Sequence, residues 1–124
     1  MNRQEFENYI SQTYGVCAEY PWENYPTYAV YRHKSDKKWF AIVMTIDKTQ
    51  LGFLDGGEID VVNLKCGESI APSLWPEKGI FPAYHMNKEH WISVELGGCV
   101  SDKTLKFLLA LSFDLTKTRH GKKD

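Results

Sequence analysis

The spacing of apolar positions predicts a helix near each end of the chain. Asn2 and Glu5 have the types and the separation of a capping box, and apolar residues follow at helical spacing as far as Gly15. We therefore predict a first helix over residues 2–14. Ser101 is a candidate N-cap for a final helix, which we expect to be well buried across a sheet because its apolar face is wide. The apolar positions of that helix are Leu105, Phe107, Leu108, Leu109, Leu111, Phe113 and Leu115.

Between these helices, β-branched and aromatic residues are grouped in short segments that have the composition of strands. The predicted strands cover residues 27–32, 38–46, 58–65, 79–84 and 91–96. The second of them is apolar on both faces, which indicates an interior strand. A short helix is predicted over residues 69–75. The order α-β-β-β-α-β-β-α predicts a single-domain α+β fold of two layers, in which helices pack on an antiparallel sheet of about five strands.

The composition is that of an ordinary globular domain and excludes several protein classes. The chain has 124 residues, of which 43% are hydrophobic and 14% aromatic, enough to bury a core without disulfides. It contains neither an apolar run of about 20 residues nor a signal-peptide pattern, so we expect a soluble cytoplasmic protein that does not associate with membranes. Cys17, Cys66 and Cys99 form no C-x-x-C pair, which indicates reduced thiols rather than a zinc ribbon or a disulfide scaffold.

Positive charge is concentrated in two short segments of a chain whose net charge is only −1. Residues 32–38 contain four Lys or Arg and one acid, and residues 117–124 have the same balance, so each segment carries +3. The other 109 residues carry −7. So acidic a body argues against general duplex binding, but a narrow basic edge is compatible with contacts to phosphates.

The first basic segment, residues 32–38, is the best candidate for a nucleic-acid contact, and we name it the basic hairpin. Cations on a protruding hairpin can reach phosphates without docking of the whole domain, and four such contacts would give a salt slope of about −4. The candidate contact residues are Arg32, Lys34, Lys37 and Lys38, and the tail could add Lys117, Arg119, Lys122 and Lys123. The alternative for the basic hairpin is a solvated turn that keeps a strand edge soluble. The alternative for the tail is a charged chain end without a role. A nucleic-acid role requires that both segments lie side by side in space.

Residues 82–91, which we name the polar turn, combine aromatic, imidazole, amide and ammonium groups with no helical or strand period before Trp91. Its candidate site residues are Tyr84, His85, Asn87, Lys88, His90 and Trp91. We favour an architectural role, in which Asn87 takes a positive φ or caps the turn and both histidines bridge backbone groups. A pocket for a small ligand or an anion is the second interpretation. A zinc site is disfavoured, because His85 and His90 do not align on a helix and no Cys or acid completes a ligand set.

No catalytic motif accompanies these residues. Cys66 and an imidazole would suffice in principle for nucleophilic catalysis, but the chain has no nucleophile elbow, no glycine-rich phosphate loop and no readable carboxylate pair. We therefore expect neither an enzyme nor a cofactor, and we expect Cys66 to lie in the core. The tryptophans, with the many tyrosines, could stack on bases as in single-strand binders, although core or edge packing is the preferred interpretation for most of the tryptophans. The tryptophans are Trp22, Trp39, Trp75 and Trp91.

The polar turn closely resembles the signature of the MmcQ/YjbR family of small bacterial proteins. Three further segments are similar to that family in the same order, namely residues 38–41 (Lys-Trp-Phe-Ala), 63–66 (Asn-Leu-Lys-Cys) and 112–115 (Ser-Phe-Asp-Leu). The resemblance implies a compact α+β domain that is described as a double wing and is related in shape to type III secretion chaperones. It also implies a DNA-binding role, which rests on the wing-like shape.

These observations lead to one expected function and one alternative. We expect a non-enzymatic bacterial binding module that contacts DNA weakly through the basic hairpin, with the tail assisting. The alternative is a protein-interaction or chaperone-like module with no nucleic-acid role, which the acidic body favours. The sequence leaves open whether the protein is a monomer or a homodimer.

Overall fold

The helices and strands follow one another in the predicted order. The computed structural model describes residues 1–68, 71–74 and 78–117. Its elements are helix α1 (Arg3–Tyr14), strands β1 (Ala29–Arg32), β2 (Trp39–Asp47) and β3 (Glu58–Lys65), helix α2 (Ala71–Leu74), strands β4 (Ile80–Pro82) and β5 (Trp91–Glu95), and helix α3 (Asp102–Thr116). A short 3-10 helix, Lys48–Leu51, which the sequence pattern did not predict, lies between β2 and β3.

Both long helices begin at the residues that the sequence predicts as N-caps. The Asn2 side chain accepts a hydrogen bond from the Glu5 amide, and the Glu5 carboxylate accepts one from the Asn2 amide, each at 2.9 Å. This reciprocal pair is a complete capping box. Gly15 ends α1 in the left-handed conformation, with φ 67°. The Ser101 hydroxyl accepts from the Thr104 amide at 3.1 Å and caps α3.

The five strands form one antiparallel sheet in the order β1-β2-β3-β5-β4. Strand β2 lies between β1 and β3, as its apolar sequence predicted. The outer edge of β1 is bonded to an upstream segment, because Glu19 and Val30 exchange backbone hydrogen bonds of 2.9 and 2.8 Å. At the other edge, β4 has only three residues and ends with Pro82.

One face of the sheet packs against the helices and forms the larger part of the core. Its largest fully buried side chains are Phe6, Ile10, Tyr31, Phe40, Leu64, Ile92, Leu105 and Leu109. Ala71 and Leu74 of α2 pack on the same cluster. The predicted two-layer α+β architecture, with helices on one face, is therefore confirmed.

The prediction that α3 is buried around its wide apolar face is wrong for part of the helix. Leu105 and Leu109 are buried, but Phe107 is 65% exposed and Leu115 is 40% exposed. A helix that lies across a sheet buries only the stripe that faces the sheet, so apolar residues beyond that stripe remain exposed.

The opposite face of the sheet is covered mainly by irregular chain, with Leu51 of the short 3-10 helix, rather than by an α-helix. A second apolar cluster lies there, built from Val30, Ile42, Met44, Ile46, Ile59 and Val61. Side chains from the segment before β1 and from the polar turn pack on it, notably Trp22, Tyr28, Tyr84 and Met86. This arrangement matters for function, because loops rather than regular elements shape the surface above the cluster.

A one-residue irregularity in the pairing of β1 with β2 decides which faces two aromatic residues occupy. Tyr31 pairs with Ala41, whereas Arg32 pairs with Trp39, so Phe40 is left without a partner. An unpaired residue of this kind shifts the alternation of side chains by one position. Phe40 therefore packs in the helix-side core, while Trp39 packs against the opposite face.

Part of the helix predicted over residues 69–75 lies outside the described residues, namely residues 69, 70 and 75; α2 accounts for the rest. The structure contains, in the residues that it describes, no helix that is both long and apolar enough to span a bilayer.

Candidate nucleic-acid interface

The basic hairpin is a tight turn whose backbone is held by its own residues. The amide of His33 donates to the Lys38 carbonyl at 2.9 Å, and the amide of Lys37 donates to the His33 carbonyl at 3.0 Å. The Asp36 carboxylate accepts from the Lys38 amide at 3.1 Å, and Lys37 adopts a positive φ of 65°. Lys34, Lys37 and Lys38 are exposed around this turn. None of the ion pairs found within the described residues involves them.

Arg32 differs from the three lysines because its charge is already engaged. Its Nε donates to the Glu19 carboxylate at 3.0 Å, and its Nη1 donates to the Lys37 carbonyl at 3.3 Å. Its guanidinium carbon also lies 5.5 Å from the centroid of the Trp39 ring, within the range of a cation–π contact. Arg32 therefore contributes less free positive charge than the sequence alone indicates.

The end of α3 lies against the basic hairpin, which brings Lys117 to the same region. His33 is buried, and its Nε2 lies 2.8 Å from Oγ1 of Thr116, the residue before Lys117. The Thr116 hydroxyl donates to the Ser112 carbonyl, so it accepts from the imidazole. The His33 ring also lies 4.3 Å from the ring of Phe113, measured between centroids. Arg119, Lys122 and Lys123, the other predicted tail cations, lie outside the described residues.

Burial lowers the pKa of His33 below its ordinary value of 6.5. The positive charges of Lys117 and Lys38 act in the same direction, which is consistent with their position near the ring. The Asp36 carboxylate and the Phe113 carbonyl oppose this shift in pKa. The net effect keeps the imidazole neutral in the folded protein at neutral pH.

We expect His33 to make the folded state less stable as the pH falls through about 6.5. Above that pH the ring is neutral in both the folded and the unfolded state, and its contribution to the free energy of unfolding is at its maximum. Below it the unfolded chain takes up the proton first, so the free energy of unfolding falls by at most about 1.4 kcal/mol per pH unit. Urea unfolding of the wild type and of His33→Gln across this range measures the effect. Identical pH dependence in both proteins would contradict it.

A basic cleft of about 220 Å³ lies between the end of α1 and the basic hairpin. It is lined by Gly15, Val16, Cys17, Glu19, Arg32, His33, Lys34 and Lys37. Lys34 extends toward the C-terminal end of α1, where its Nζ would lie 3.2 Å from a Cβ built on Gly15. A cation at that position is stabilised by the helix dipole, so Lys34 has a structural partner as well as solvent exposure.

An aromatic pocket of about 220 Å³ opens on the sheet face opposite the helices. Its floor is formed by strands β2 and β3, and its walls come from the segment before β1 and from the polar turn. The lining residues are Trp22, Tyr25, Tyr28, Trp39, Ile42, Met44, Asn63, Tyr84, His85 and Met86. Trp39 and Arg32 pair across the hairpin, so the aromatic pocket and the basic cleft meet at this pair.

The rings of the aromatic pocket pack on one another in pairs, and Trp22 and Tyr28 meet edge to face with centroids 6.2 Å apart. Trp22 and Trp39 meet edge to face, with centroids 5.4 Å apart and planes at 89°. Tyr25 stacks on Tyr28 at 4.8 Å and 23°. Tyr84 and His85 lie 4.0 Å apart at a tilted angle. Burial and a side-chain hydrogen bond to Tyr84 raise the pKa of Tyr28, so its phenol is protonated at neutral pH.

Buried polar side chains of the sheet hold the polar turn in place above this pocket. The Asn63 amide donates to the Tyr84 carbonyl at 2.8 Å and accepts from the Ser93 hydroxyl at 2.5 Å. The Ser93 hydroxyl in turn accepts from the Tyr84 amide at 3.0 Å. Both backbone groups of Tyr84 are thus satisfied by strands β3 and β5, and the turn has a defined position on the sheet.

Of the two roles expected of Asn87, a positive φ or a cap of the turn, the structure shows the cap, since its carboxamide oxygen accepts from the Glu89 amide at 2.8 Å and its carbonyl accepts from the Trp91 amide at 3.0 Å. The positive φ within the polar turn, 60°, is at His85. The expected backbone bridges by the two imidazoles are not found within the described residues. His90 contributes its carbonyl, which accepts from the Cys66 amide at 2.8 Å, and Lys88 is exposed.

Two carboxylates lie close to His90 in the structure, although no acid was expected there from the sequence. Potential ligand atoms of Glu68, Glu89 and His90 all lie within 4.8 Å of one another. Both glutamates are exposed, and such groups are common without an ion, so we assign no metal to them.

Cys66 lies in the core, as predicted, and its thiol is not activated. Burial raises the pKa of this thiol to about 11, which keeps it protonated at neutral pH. Cys17 and Cys99 are exposed free thiols.

Most residues of the aromatic pocket carry no local sequence signal that marks them as a site. Tyr25, Tyr28, Met86 and Asn63 were not singled out, although the Trp and Tyr residues clustered beside two prolines before β1 were a usable signal. Trp39 and Trp22 do pack on apolar surface, but they also line this opening.

Comparisons with known proteins agree with this architecture. The YjbR family model matches residues 11–115. The chain is 41% identical over 117 residues to the uncharacterized protein YyaQ of Bacillus subtilis (strain 168), covering 94% of this chain and 99% of that protein.

Solved structures of similar proteins share the fold of this chain. A crystal structure of a Pseudomonas syringae protein is 43% identical with a TM-score of 0.92, covering 94% of this chain and all of that one (100%). A solution NMR structure, also from Pseudomonas syringae, is 42% identical with a TM-score of 0.86 and covers 98% of each chain. A Deinococcus radiodurans crystal structure shares the fold at 22% identity, with a TM-score of 0.68 and coverage of 94% and 81%. The chain belongs to the YjbR family.

Proposed function

We propose that this protein is a non-enzymatic module of the bacterial cytoplasm that binds nucleic acid weakly through electrostatic contacts. The contact surface is the basic hairpin together with Lys117. The observation that supports the proposal is the packing of His33 against Thr116, because it brings Lys117, the one residue of the second cationic segment that the structure describes, next to the basic hairpin.

The local charge supports contact with phosphates, whereas the charge of the whole molecule limits its strength. Lys34, Lys37, Lys38 and Lys117 are exposed, and the ion pairs within the described residues leave them out. Arg32 is offset by Glu19, and the rest of the chain is acidic. Four contacts correspond to a salt slope of about −4 for duplex DNA and about −3 for a single strand.

The double variant Lys38→Gln/Lys117→Gln is expected to make the salt slope shallower by about 2 and to weaken binding at low salt. These two positions avoid Lys37, which has a positive φ, and Lys34, whose ammonium lies close to Gly15 at the C-terminal end of α1. Fluorescence anisotropy of labelled duplex and single-stranded DNA across a salt series measures both quantities.

The matched control is Lys103→Gln/Lys106→Gln, which removes the same charge from exposed positions in the first turns of α3, far from Lys117. It should leave the slope unchanged. Equal losses in both double variants would show a nonspecific charge effect, and no salt-dependent binding by the wild type would remove the proposal.

A protein-interaction role is the second candidate, and one observation favours it. Phe107, Leu111 and Leu115 follow one another at intervals of four along α3, and the first and last of them are exposed. Such a stripe suits a second copy of this chain. A dimeric mass in light scattering that reverts in Phe107→Ser, together with absent DNA binding, would favour this role.

A further inference from the structure

We infer that the aromatic pocket takes one unpaired nucleobase, so that the protein prefers single-stranded nucleic acid to an intact duplex. The inference rests on the proposed function, since the basic hairpin supplies the phosphate contacts. It adds a second element of recognition, namely stacking on the exposed aromatic rings of the sheet face opposite the helices.

The size and chemistry of the aromatic pocket select a small flat occupant. Its volume of about 220 Å³ is below the roughly 300–1,000 Å³ of pockets that enclose drug-sized ligands. The rings of Trp22, Trp39 and Tyr25 supply faces and edges for stacking, and every base has a π-face that can use them. A single ring system is therefore the occupant that the aromatic pocket accommodates.

The polar groups of the aromatic pocket indicate stacking without strong base preference. The Asn63 amide is already bonded to the Tyr84 carbonyl and to the Ser93 hydroxyl, so it is committed to the fold. The Tyr28 ring packs against the rings of Trp22 and Tyr25. Recognition of base edges is thus limited, as in proteins that bind single strands of mixed sequence.

Two aromatic side chains at the rim of the aromatic pocket, Tyr25 and His85, are exposed to solvent. Tyr25 is 46% exposed, although it stacks on Tyr28. His85 is exposed and adopts a positive φ of 60°, a conformation that is uncommon for residues other than glycine. These rings extend the stacking surface toward solvent, where a base would enter.

The position of the aromatic pocket beside the basic cleft matches the alternation of bases and phosphates in an extended strand. Trp39 lines the aromatic pocket, and Arg32, whose guanidinium lies over that ring, lines the basic cleft with Lys34 and Lys37. A strand with its base in the aromatic pocket would place its backbone toward these cations. A duplex keeps its bases stacked inside and would have to unpair one at a cost in free energy.

The variant Tyr25→Ala tests the inference, with Tyr20→Ala as the matched control. Both tyrosines belong to the segment before β1, and Tyr20 is 57% exposed but does not line the aromatic pocket. We expect Tyr25→Ala to weaken binding of a short oligothymidylate by roughly 5- to 150-fold with an unchanged salt slope, as loss of one stacking contact predicts. Tyr25→Phe should retain binding, and Tyr20→Ala should bind as the wild type does.

Probes without a free base separate this inference from the proposed function. In anisotropy titrations at one low salt concentration, the wild type should bind oligothymidylate more tightly than a duplex or an abasic strand of equal length. If all three bind equally and Tyr25→Ala has no effect, the base pocket is refuted while the phosphate contacts stand. If none binds, the proposed function fails and the inference fails with it.

Discussion

Phe40→Ala is expected to lower the free energy of unfolding by about 3–5 kcal/mol. The side chain is fully buried at the junction of the basic hairpin, α1 and α3. Its ring centroid lies 4.9 Å from that of Phe113, 5.2 Å from that of His33 and 5.5 Å from that of Tyr14. Truncation would leave a cavity that these rings cannot fill without moving. Urea unfolding monitored by tryptophan fluorescence measures the loss.

Phe107→Ala is the matched control for this change, because Phe107 is 65% exposed on α3 and its removal should alter stability by no more than about 0.5 kcal/mol. We also expect Phe40→Ala to disturb the candidate nucleic-acid interface, since the rings around Phe40 hold Lys117 beside the basic hairpin. A loss below about 1 kcal/mol in Phe40→Ala would contradict the packing described for this junction.

Asn63→Ala is expected to cost about 2–4 kcal/mol, because it leaves two buried groups without their partner. The Tyr84 carbonyl would lose its donor, and the Ser93 hydroxyl would lose its acceptor. The Ser93 hydroxyl is buried and the Tyr84 carbonyl is partly buried, so the desolvation cost is recovered only in part. Thermal and urea unfolding measure the change in stability.

Hydrogen exchange gives this prediction a local readout. The Tyr84 amide, which donates to Ser93, should exchange faster in Asn63→Ala as the polar turn loosens. Asn24→Ala, at an exposed position before β1, should leave both stability and exchange unchanged. A stable Asn63→Ala protein with normal exchange at Tyr84 would show that the turn is held by other contacts.

The features that the sequence predicted correctly are those set by neighbours along the chain. The capping box at Asn2 and Glu5, the Ser101 cap and the apolar run of β2 each depend on residues within a few positions of one another. The family resemblance of the polar turn was confirmed for the same reason, because its residues are contiguous.

The features that the sequence could not predict depend on contacts between distant segments. The aromatic pocket joins Tyr25, Trp39 and Tyr84, and no local pattern shows that these residues meet. The unpaired Phe40 shifts the side-chain alternation only once β1 is in place. The approach of Lys117 to the basic hairpin was stated as a requirement, and it depends on the contact between His33 and Thr116.

The positive φ in the polar turn is a further feature that the sequence could not predict. Asn is the usual non-glycine residue in that conformation, yet His85 adopts it. The two backbone bonds of Tyr84 to sheet side chains fix the direction of the chain just before His85. Tertiary contacts thus override the local preference for Asn87.

The two outer strands of the sheet, β1 and β4, affect the tendency of the protein to associate with copies of itself. With a net charge of −1, molecules of this protein repel one another little, and exposed sheet edges in that condition are prone to associate. The backbone of Val30 is already bonded to Glu19, and β4 is short and ends with a proline that has no N–H to donate. Within the residues that the structure describes, neither border therefore offers a long ladder for strand addition, which disfavours edge-to-edge association.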